Sequence, residues 1–444
     1  MKYFGTDGFR GEANRTLDVD QAYKIGRIVG WHFTEGATKD AKIVMGRDTR
    51  QSSNMFESAI AAGLMASGAD VYILGVIPTP SVSFSIRNTG FDAGVMITAS
   101  HNPFHDNGIK LVNSKGYKME EEVLEIVESY IDGEMEIGLA TDEHIGTKKF
   151  WQEGRDNYLD HLKEVASGLD LKGMKIGLDC ANGASSEIAA QAFSVTGADI
   201  TVINNEPNGR NINVDCGSTH IEALSELVKN NNLDCGFAFD GDCDRCIAVD
   251  GEGNEVNGDK ILYLCGKDLA SKGLLPDNMI VATVMANIGF GKAVEAAGLN
   301  AKYTDVGDKY VFAEMVEHGY VLGGEQSGHV IYTDCEVTGD GIVTALKTLH
   351  ATSDKDMSFT EQANEMREYP QLLVNVRVSD KQAALSDANV QAAIDKVSEE
   401  LGDDGRCFVR ASGTEPLIRV LCEAGSDEIC ERCCEAVAEQ LRKI

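Results

Sequence analysis

Positive charge is scarce in this chain: 40 Lys and Arg stand against 71 Asp and Glu in 444 residues, for a net charge of −31. Binding to a nucleic-acid backbone needs a basic face that neutralises phosphates, so the balance excludes that class of partner. Any anionic ligand must instead be held by a local cluster of Arg, Lys or metal. No apolar stretch approaches the roughly 18 residues of a membrane-spanning helix. The N-terminus, Met1–Gly8, has no apolar targeting core, so a cytoplasmic protein without membrane attachment is expected. Cysteine is absent before Cys180, although the whole chain holds 12. Two C-x-x-C spacings occur, Cys243/Cys246 and Cys430/Cys433, with Cys434 adjacent. Zinc needs two such pairs in tetrahedral reach, and the second pair lies in an Ala/Glu/Leu-rich helical stretch, so reduced thiols are expected rather than a metal cluster. Walker A, H-E-x-x-H and G-x-S-x-G motifs are all missing, which leaves P-loop nucleotide chemistry and triad hydrolysis without support.

What is present alternates between strand-like and helix-like stretches over the first three quarters, the pattern of an α/β class with mainly parallel sheets. Lys42–Asp48 reads as a strand entering a polar turn and a helix, followed by a second strand at Val71–Val76. Lys175–Ser186 repeats the Lys-Ile, apolar run, polar turn and Ser-Ser order of Lys42–Ser53, and Met279–Asn287 is a third candidate. Three related α/β units follow from this. The C-terminal part differs: a strand at Leu372–Val378, a helix near 382–401, strands at Arg406–Ala411 and Ile418–Glu423, and a helix near 427–442 make a small α+β domain. Boundaries are expected near residues 153, 254 and 368, giving domains 1–153, 154–254, 255–368 and 369–444.

Four loops carry candidate chemistry. The apolar run Ala93–Ile97 stops at Thr98-Ala99-Ser100-His101-Asn102-Pro103, which puts a hydroxyl at the C-terminal edge of a strand, where α/β folds bind ligands. Alone, such a turn only satisfies its own backbone; with acids and cations around it, Ser100 becomes a nucleophile or group carrier. Lys110, ten residues on, and Arg10, on a Gly-rich turn, are such cations; a lysine there balances charge, or moves a proton once its pKa is lowered. Asp240-Gly241-Asp242-Cys243-Asp244-Arg245 follows the run Cys235–Phe239. Three alternating carboxylates after a buried strand converge on one hard cation, and oxygen ligands select Mg²⁺ or Ca²⁺. An EF-hand is ruled out by Arg245 and Gly251 where Gly and Glu are required. Gly323–His329 offers Glu325, Ser327 and His329 as donors and acceptors suited to a polyol. Arg410-Ala411-Ser412-Gly413-Thr414-Glu415-Pro416, with Arg419 nearby, combines guanidinium, hydroxyl and loop N–H groups as a phosphate cradle does.

In this order the four loops resemble those of the α-D-phosphohexomutase superfamily, and the likeness runs from Phe4-Gly5-Thr6-Asp7-Gly8 to the last domain. Within it the chain looks most like the bacterial branch acting on glucosamine phosphates, a likeness carried by Gln326, Asp179–Ala184 and Val306–Tyr310. Phe9 stands where Ile is usual and Cys243 where Gly or Ala is usual; the latter suggests a metal loop sensitive to oxidation. The resemblance implies three α/β domains and one α+β domain in a heart shape around a central cleft. It also implies interconversion of glucosamine 6-phosphate and glucosamine 1-phosphate for UDP-N-acetylglucosamine and cell-wall synthesis. Ser100 would be a phosphoserine, primed by a sugar 1,6-bisphosphate or another donor. One Mg²⁺ per chain would be held by Asp240, Asp242, Asp244 and Ser100. Lys110 would transfer the proton, with His329 as the alternative, and Arg10 would flank the reacting group. Glu325, Ser327, Arg245, Asp308 and Lys309 would contact the sugar phosphate. Arg410, Ser412, Gly413, Thr414 and Arg419 would hold its distal phosphate. The only expected partner besides this small molecule is a second copy, the chain being a monomer or homodimer.

Overall fold

One four-strand pattern recurs three times. Lys42–Arg47 lies between parallel neighbours Asp70–Val76 and Ala93–Ile97, and the latter pairs antiparallel with Asp106–Val112. Lys175–Asp179 lies between Asp199–Ile203 and Cys235–Phe239, followed by antiparallel Cys246–Asp250. Met279–Thr283 lies between Asn300–Thr304 and Leu322–Gly324, followed by antiparallel Val330–Tyr332. The faint likeness of Lys42, Lys175 and Met279 is thus the first strand of each repeat. This computed structural model describes residues 1–5, 7–353, 356–412 and 416–444.

Extra edge strands bring the first two sheets to seven and five strands, while the third keeps its four. Ala93–Ile97 and Cys235–Phe239 are buried along their whole length, as continuous apolar runs covered on both faces should be. Each of them ends in the loop that turns back into the antiparallel strand. These loops hold Ser100, Asp240–Asp244 and Glu325–His329, so three of the four candidate segments occupy the same place in three copies of one motif. In the first repeat, helices Val19–Phe33 and Ser53–Ala66 touch backbone to backbone: a Cβ at Gly26 would lie 2.2 Å from the Ile60 carbonyl oxygen. Asp18 and Gln21 start the first of these helices with a reciprocal capping box, which satisfies two otherwise orphaned backbone donors. Phe9, in place of the usual Ile, is buried against the rings of Tyr3 and Phe4.

Two compact units result, residues 1–284 with 299–363, and residues 285–298 with 364–444. The second is an antiparallel sheet with Leu417–Glu423 between Gln371–Arg377 and Arg406–Ala411. Its core includes Val376, Val390, Val397, Ile418, Val420 and Val437. The single helix expected at 382–401 is two, Lys381–Ser386 and Ala388–Leu401. Asp387 is the reason: its backbone is extended and its carboxylate accepts from the Asn389 and Val390 N–H groups at 2.8 and 3.2 Å, which caps a new helix. Helix Ile288–Ala296 groups with this unit, where Glu423 accepts the Ile288 N–H at 3.1 Å. Among the described residues no helix is long and apolar enough to cross a membrane.

Candidate active site

Ser100 follows directly on the first of these strand ends, 1% exposed and at φ +52°. A non-glycine residue in this left-handed region costs on the order of 1 kcal/mol and persists only where its surroundings over-determine it. Here they do. Thr98 Oγ1 accepts the Ser100 N–H at 2.9 Å, and the Ser100 carbonyl accepts from Arg50 Nη2 and Asn213 Nδ2, both at 2.9 Å. Arg50 is fully buried and clamps the whole loop. Its Nε donates to Asp48 at 2.8 Å, while its Nη groups donate to the carbonyls of Asn102 at 2.8 Å, Asp106 at 3.0 Å and Pro103. Neither Arg50 nor Asn213 was apparent in the sequence, although Asp48-Thr49-Arg50 also leaves a buried strand at the same sheet edge. Arg50→Met would strand a buried Asp48 and four carbonyls, so a loss of roughly 3–5 kcal/mol is expected. It is read as a lowered urea midpoint, against less than ~1 kcal/mol for the part-exposed control Arg47→Met.

The three aspartates meet this hydroxyl. Ser100 Oγ donates to Asp240 Oδ2 at 2.5 Å. Gly241 makes the approach possible, since a Cβ there would sit 2.5 Å from the Ser100 carbonyl oxygen. One oxygen from each of Asp240, Asp242 and Asp244 lies within 4.8 Å of the others, and all three residues are buried. Asp242 Oδ1 and Asp244 Oδ1 accept no hydrogen bond despite that burial, which leaves lone pairs facing a site that suits a hard divalent cation such as Mg²⁺. Asp242 is further fixed by Thr79, whose Oγ1 donates to Oδ2 at 2.5 Å and whose N–H donates to the carbonyl at 2.9 Å. The sequence held no sign of Thr79, because only tertiary packing brings the start of helix Thr79–Thr89 to the Asp loop.

Electrostatics divide the roles. Burial, with Asp244 and Asp242 close by, pushes the Asp240 carboxyl well above its usual range. Burial opposes ionisation of Asp244 too, but Lys110, His329 and Arg245 outweigh it and hold that carboxyl well below the usual range. Lys110 Nζ lies 2.8 Å from Asp242 and 2.9 Å from Asp244. Its burial is likewise outweighed by these carboxylates and Asp7, so its pKa is raised. Held this way, Lys110 pairs as a cation with Asp242 and Asp244. His101 also stands beside Ser100. His101 Nδ1 is 3.3 Å from Ser100 Oγ, and burial together with Arg245 and Arg10 pushes its pKa down to about 4. The expected oxidation sensitivity of Cys243 is corrected. This thiol is fully buried, and burial with Asp340 and Asp240 pushes it well up, away from the reactive thiolate. Its φ of +59° explains why glycine is usual at this place.

The third loop reaches the same aspartates. The Gly339 N–H donates to His329 Nε2 at 3.1 Å, which puts the ring proton on Nδ1, 3.7 Å from Asp244 Oδ1. Glu325 accepts the Gly307 N–H at 3.1 Å, and burial pushes its carboxyl up; Ser327 is exposed. Arg245 donates its N–H to Asp240 at 3.1 Å, with Nε buried and without a hydrogen-bond partner. Asp308 accepts from Lys118 at 2.7 Å, and Lys118 also reaches Asp7 at 2.9 Å, with Arg10 Nη2 3.4 Å from the same carboxylate. Lys309 extends to Glu121 at 3.5 Å. Asp7, Lys110, Lys118, Asp244, Asp308 and Lys309 share the lining of a cavity of about 410 Å³; Asp7 and Lys118 are further residues the sequence did not single out.

In the second unit Arg410 and Arg419 are directly opposite each other on adjacent strands. Like charges so placed are destabilising, and burial together with Arg419 pushes the Arg410 pKa down. An anion between them relieves this. Ser412 donates its N–H to Leu417 at 2.9 Å and accepts from Lys381 Nζ at 2.7 Å. Gly413 and Thr414 lie outside the described residues.

The chain is similar to known proteins along its length. The chain matches the families described as phosphoglucomutase/phosphomannomutase alpha/beta/alpha domain I over residues 1–137, domain II over 156–253, domain III over 257–369 and the C-terminal domain over 373–440. It is 51% identical to a phosphoglucosamine mutase of Lachnoclostridium phytofermentans, across 100% of this chain and 98% of that one. It is 50% identical to a phosphoglucosamine mutase of Lachnospira eligens, across 99% and 98%. Among solved structures, a phosphoglucomutase/phosphomannomutase family protein of Burkholderia thailandensis superposes with a TM-score of 0.84 at 25% identity, covering 99% of this chain and 97% of the other.

Proposed function

The chain belongs to the phosphoglucomutase/phosphomannomutase family, and from that premise we propose that it is an isomerase with phosphoglucosamine mutase activity, interconverting glucosamine 6-phosphate and glucosamine 1-phosphate. The observation that carries the reaction class is the 2.5 Å contact of Ser100 Oγ with Asp240, inside a cluster of three carboxylates with unsatisfied oxygens. Full-length relatives of that name at 51% and 50% identity carry the substrate.

Ser100 is the phosphoryl carrier in this reading, primed by a sugar 1,6-bisphosphate or another phosphoryl donor. The phosphoryl group passes from Ser100 to the free hydroxyl of the bound monophosphate. The resulting 1,6-bisphosphate reorients and returns its other phosphoryl group to Ser100. Such transfers depend on positioning and charge neutralisation rather than on covalent help from the protein. Asp240, Asp242 and Asp244 with an oxygen on Ser100 would hold one Mg²⁺, which supplies positive charge to the transferring group. Lys110 and Arg10 add positive charge. Lys110 is the group that moves the proton of the attacking hydroxyl, with His329 as the alternative. Glu325 and Ser327 contact sugar hydroxyls, with Arg245, Asp308 and Lys309 around them. Arg410, Ser412, Gly413, Thr414 and Arg419 hold the phosphate that is not reacting. The product is an activated position on the amino sugar, as required on a route to UDP-N-acetylglucosamine.

The substrate assignment is tested by comparing kcat/KM for glucosamine, glucose and mannose phosphates. The amino sugar is expected to lead by about 10- to 100-fold, the range supplied by one hydrogen bond to a charged group. Equal or reversed values would move the chain to a different specificity within the same family.

A further inference from the structure

Five of the twelve cysteines, Cys407, Cys422, Cys430, Cys433 and Cys434, lie in the second unit. Two of them are cross-strand partners: Cys407 on Arg406–Ala411 is directly opposite Cys422 on Leu417–Glu423. The ladder shows which type of pair they form. The Ser412 N–H donates to the Leu417 carbonyl at 2.9 Å, and hydrogen-bonded and non-hydrogen-bonded pairs alternate along antiparallel strands. Counting back five positions makes Cys407/Cys422 a non-hydrogen-bonded pair, the kind whose Cα atoms approach to about 4.5 Å with side chains closest together. That spacing falls within the roughly 4.4–6.8 Å a disulfide spans.

The surroundings separate the two sulfurs by access. Cys422 is 0% exposed on the core face, whereas Cys407 is half-buried on the edge strand of the sheet. The neighbouring Cys422 lowers the pKa of Cys407, as it does that of Cys434; the thiolate is the form that reacts with oxidants, and of these two only Cys407 is partly exposed. Cys434, the other thiol beside Cys422, is fully buried and donates to the Leu372 carbonyl at 3.3 Å and the Val420 carbonyl at 3.7 Å. Three positions further along each strand, on the opposite face, stand Arg410 and Arg419. The thiol pair therefore shares its two strands with both arginines of the proposed phosphate cradle.

We propose that Cys407 and Cys422 are a site of reversible oxidation, closing into an intramolecular disulfide when the protein meets a peroxide. The Cys407 sulfur attacks one peroxide oxygen, the O–O bond breaks, and water leaves after taking up a proton, with Cys407 now a sulfenic acid. The Cys422 sulfur then attacks the Cys407 sulfur. The S–O bond breaks, and a second water departs with the proton from Cys422. Two thiols and one hydrogen peroxide become one disulfide and two waters.

The test treats the full-length protein with stoichiometric hydrogen peroxide, alkylates the remaining thiols and maps the peptides by mass. A cross-linked pair of peptides holding Cys407 and Cys422 is expected, reversed by dithiothreitol, absent in Cys407→Ser and in Cys422→Ala, and retained in Cys434→Ser. Cys422 still alkylated after Cys407 has gone on to sulfinic acid would overturn the proposal. So would a Cys422–Cys434 link in its place, or both thiols remaining free. Circular dichroism of each variant before oxidation separates lost chemistry from lost fold.

Discussion

Ser100→Ala is expected to leave a folded protein that neither exchanges phosphate between sugar positions nor carries a phosphate-sized mass. The expected loss of turnover is more than about 10³-fold, since a missing covalent carrier leaves only binding and electrostatics. The fold should survive, because the loop is held from its backbone. The Ser100 carbonyl still accepts from Arg50 and Asn213, and its N–H still reaches Thr98. Alanine loses one hydrogen bond to Asp240, a matter of about 1 kcal/mol. Intact mass, urea midpoint and a coupled mutase assay measure the three parts separately. Phosphate mass persisting on the variant, or turnover near wild type, would remove Ser100 from the reaction.

Asp240→Asn is expected to show opposite effects on stability and function. In the metal-free protein this carboxyl is pushed up by burial and by its two acidic neighbours, so ionising it at neutral pH costs stability. The neutral amide has the same shape and removes that repulsion, so the metal-free melting temperature should hold or rise. The same change takes one anionic ligand from a hard cation. Mg²⁺ should therefore raise the wild-type melting temperature, as any ligand of the folded state does, and raise that of the variant far less. Turnover should fall by more than about 10²-fold. An undiminished magnesium shift in Asp240→Asn would place the ion elsewhere. Functional carboxylates packed against one another commonly carry this cost in stability.

Much of the architecture was legible in advance because local chemistry dictates it. Continuous apolar runs such as Ala93–Ile97 and Cys235–Phe239 had to be buried strands, and the polar residues ending them had to lie at the sheet edge. What escaped sequence reading were interactions without local periodicity. Asp387 looked like one more polar residue in a helix, yet its carboxylate caps the second of two helices. Cys243 suggested a metal loop sensitive to oxidation, yet its thiol is buried. Lys110 kept its place beside the site, but its protonation depends on Asp242 and Asp244, more than 130 residues away.

By itself, the sequence determined which side chains stand at the ends of the repeated strands: the hydroxyl of Ser100, the three aspartates and the polar loop at Glu325–His329. Strand period and breaker residues are local properties, and they put those groups at the sheet edges wherever the strands pack. Only the tertiary structure decided how these groups behave. Arg50 and Asn213 hold Ser100 in a left-handed conformation, Thr79 fixes Asp242, and different neighbouring charges drive the pKa values of the equally buried Asp240 and Asp244 apart. Those effects arise from desolvation and from charges a few ångströms apart in space, and neither is encoded in the order of neighbouring residues.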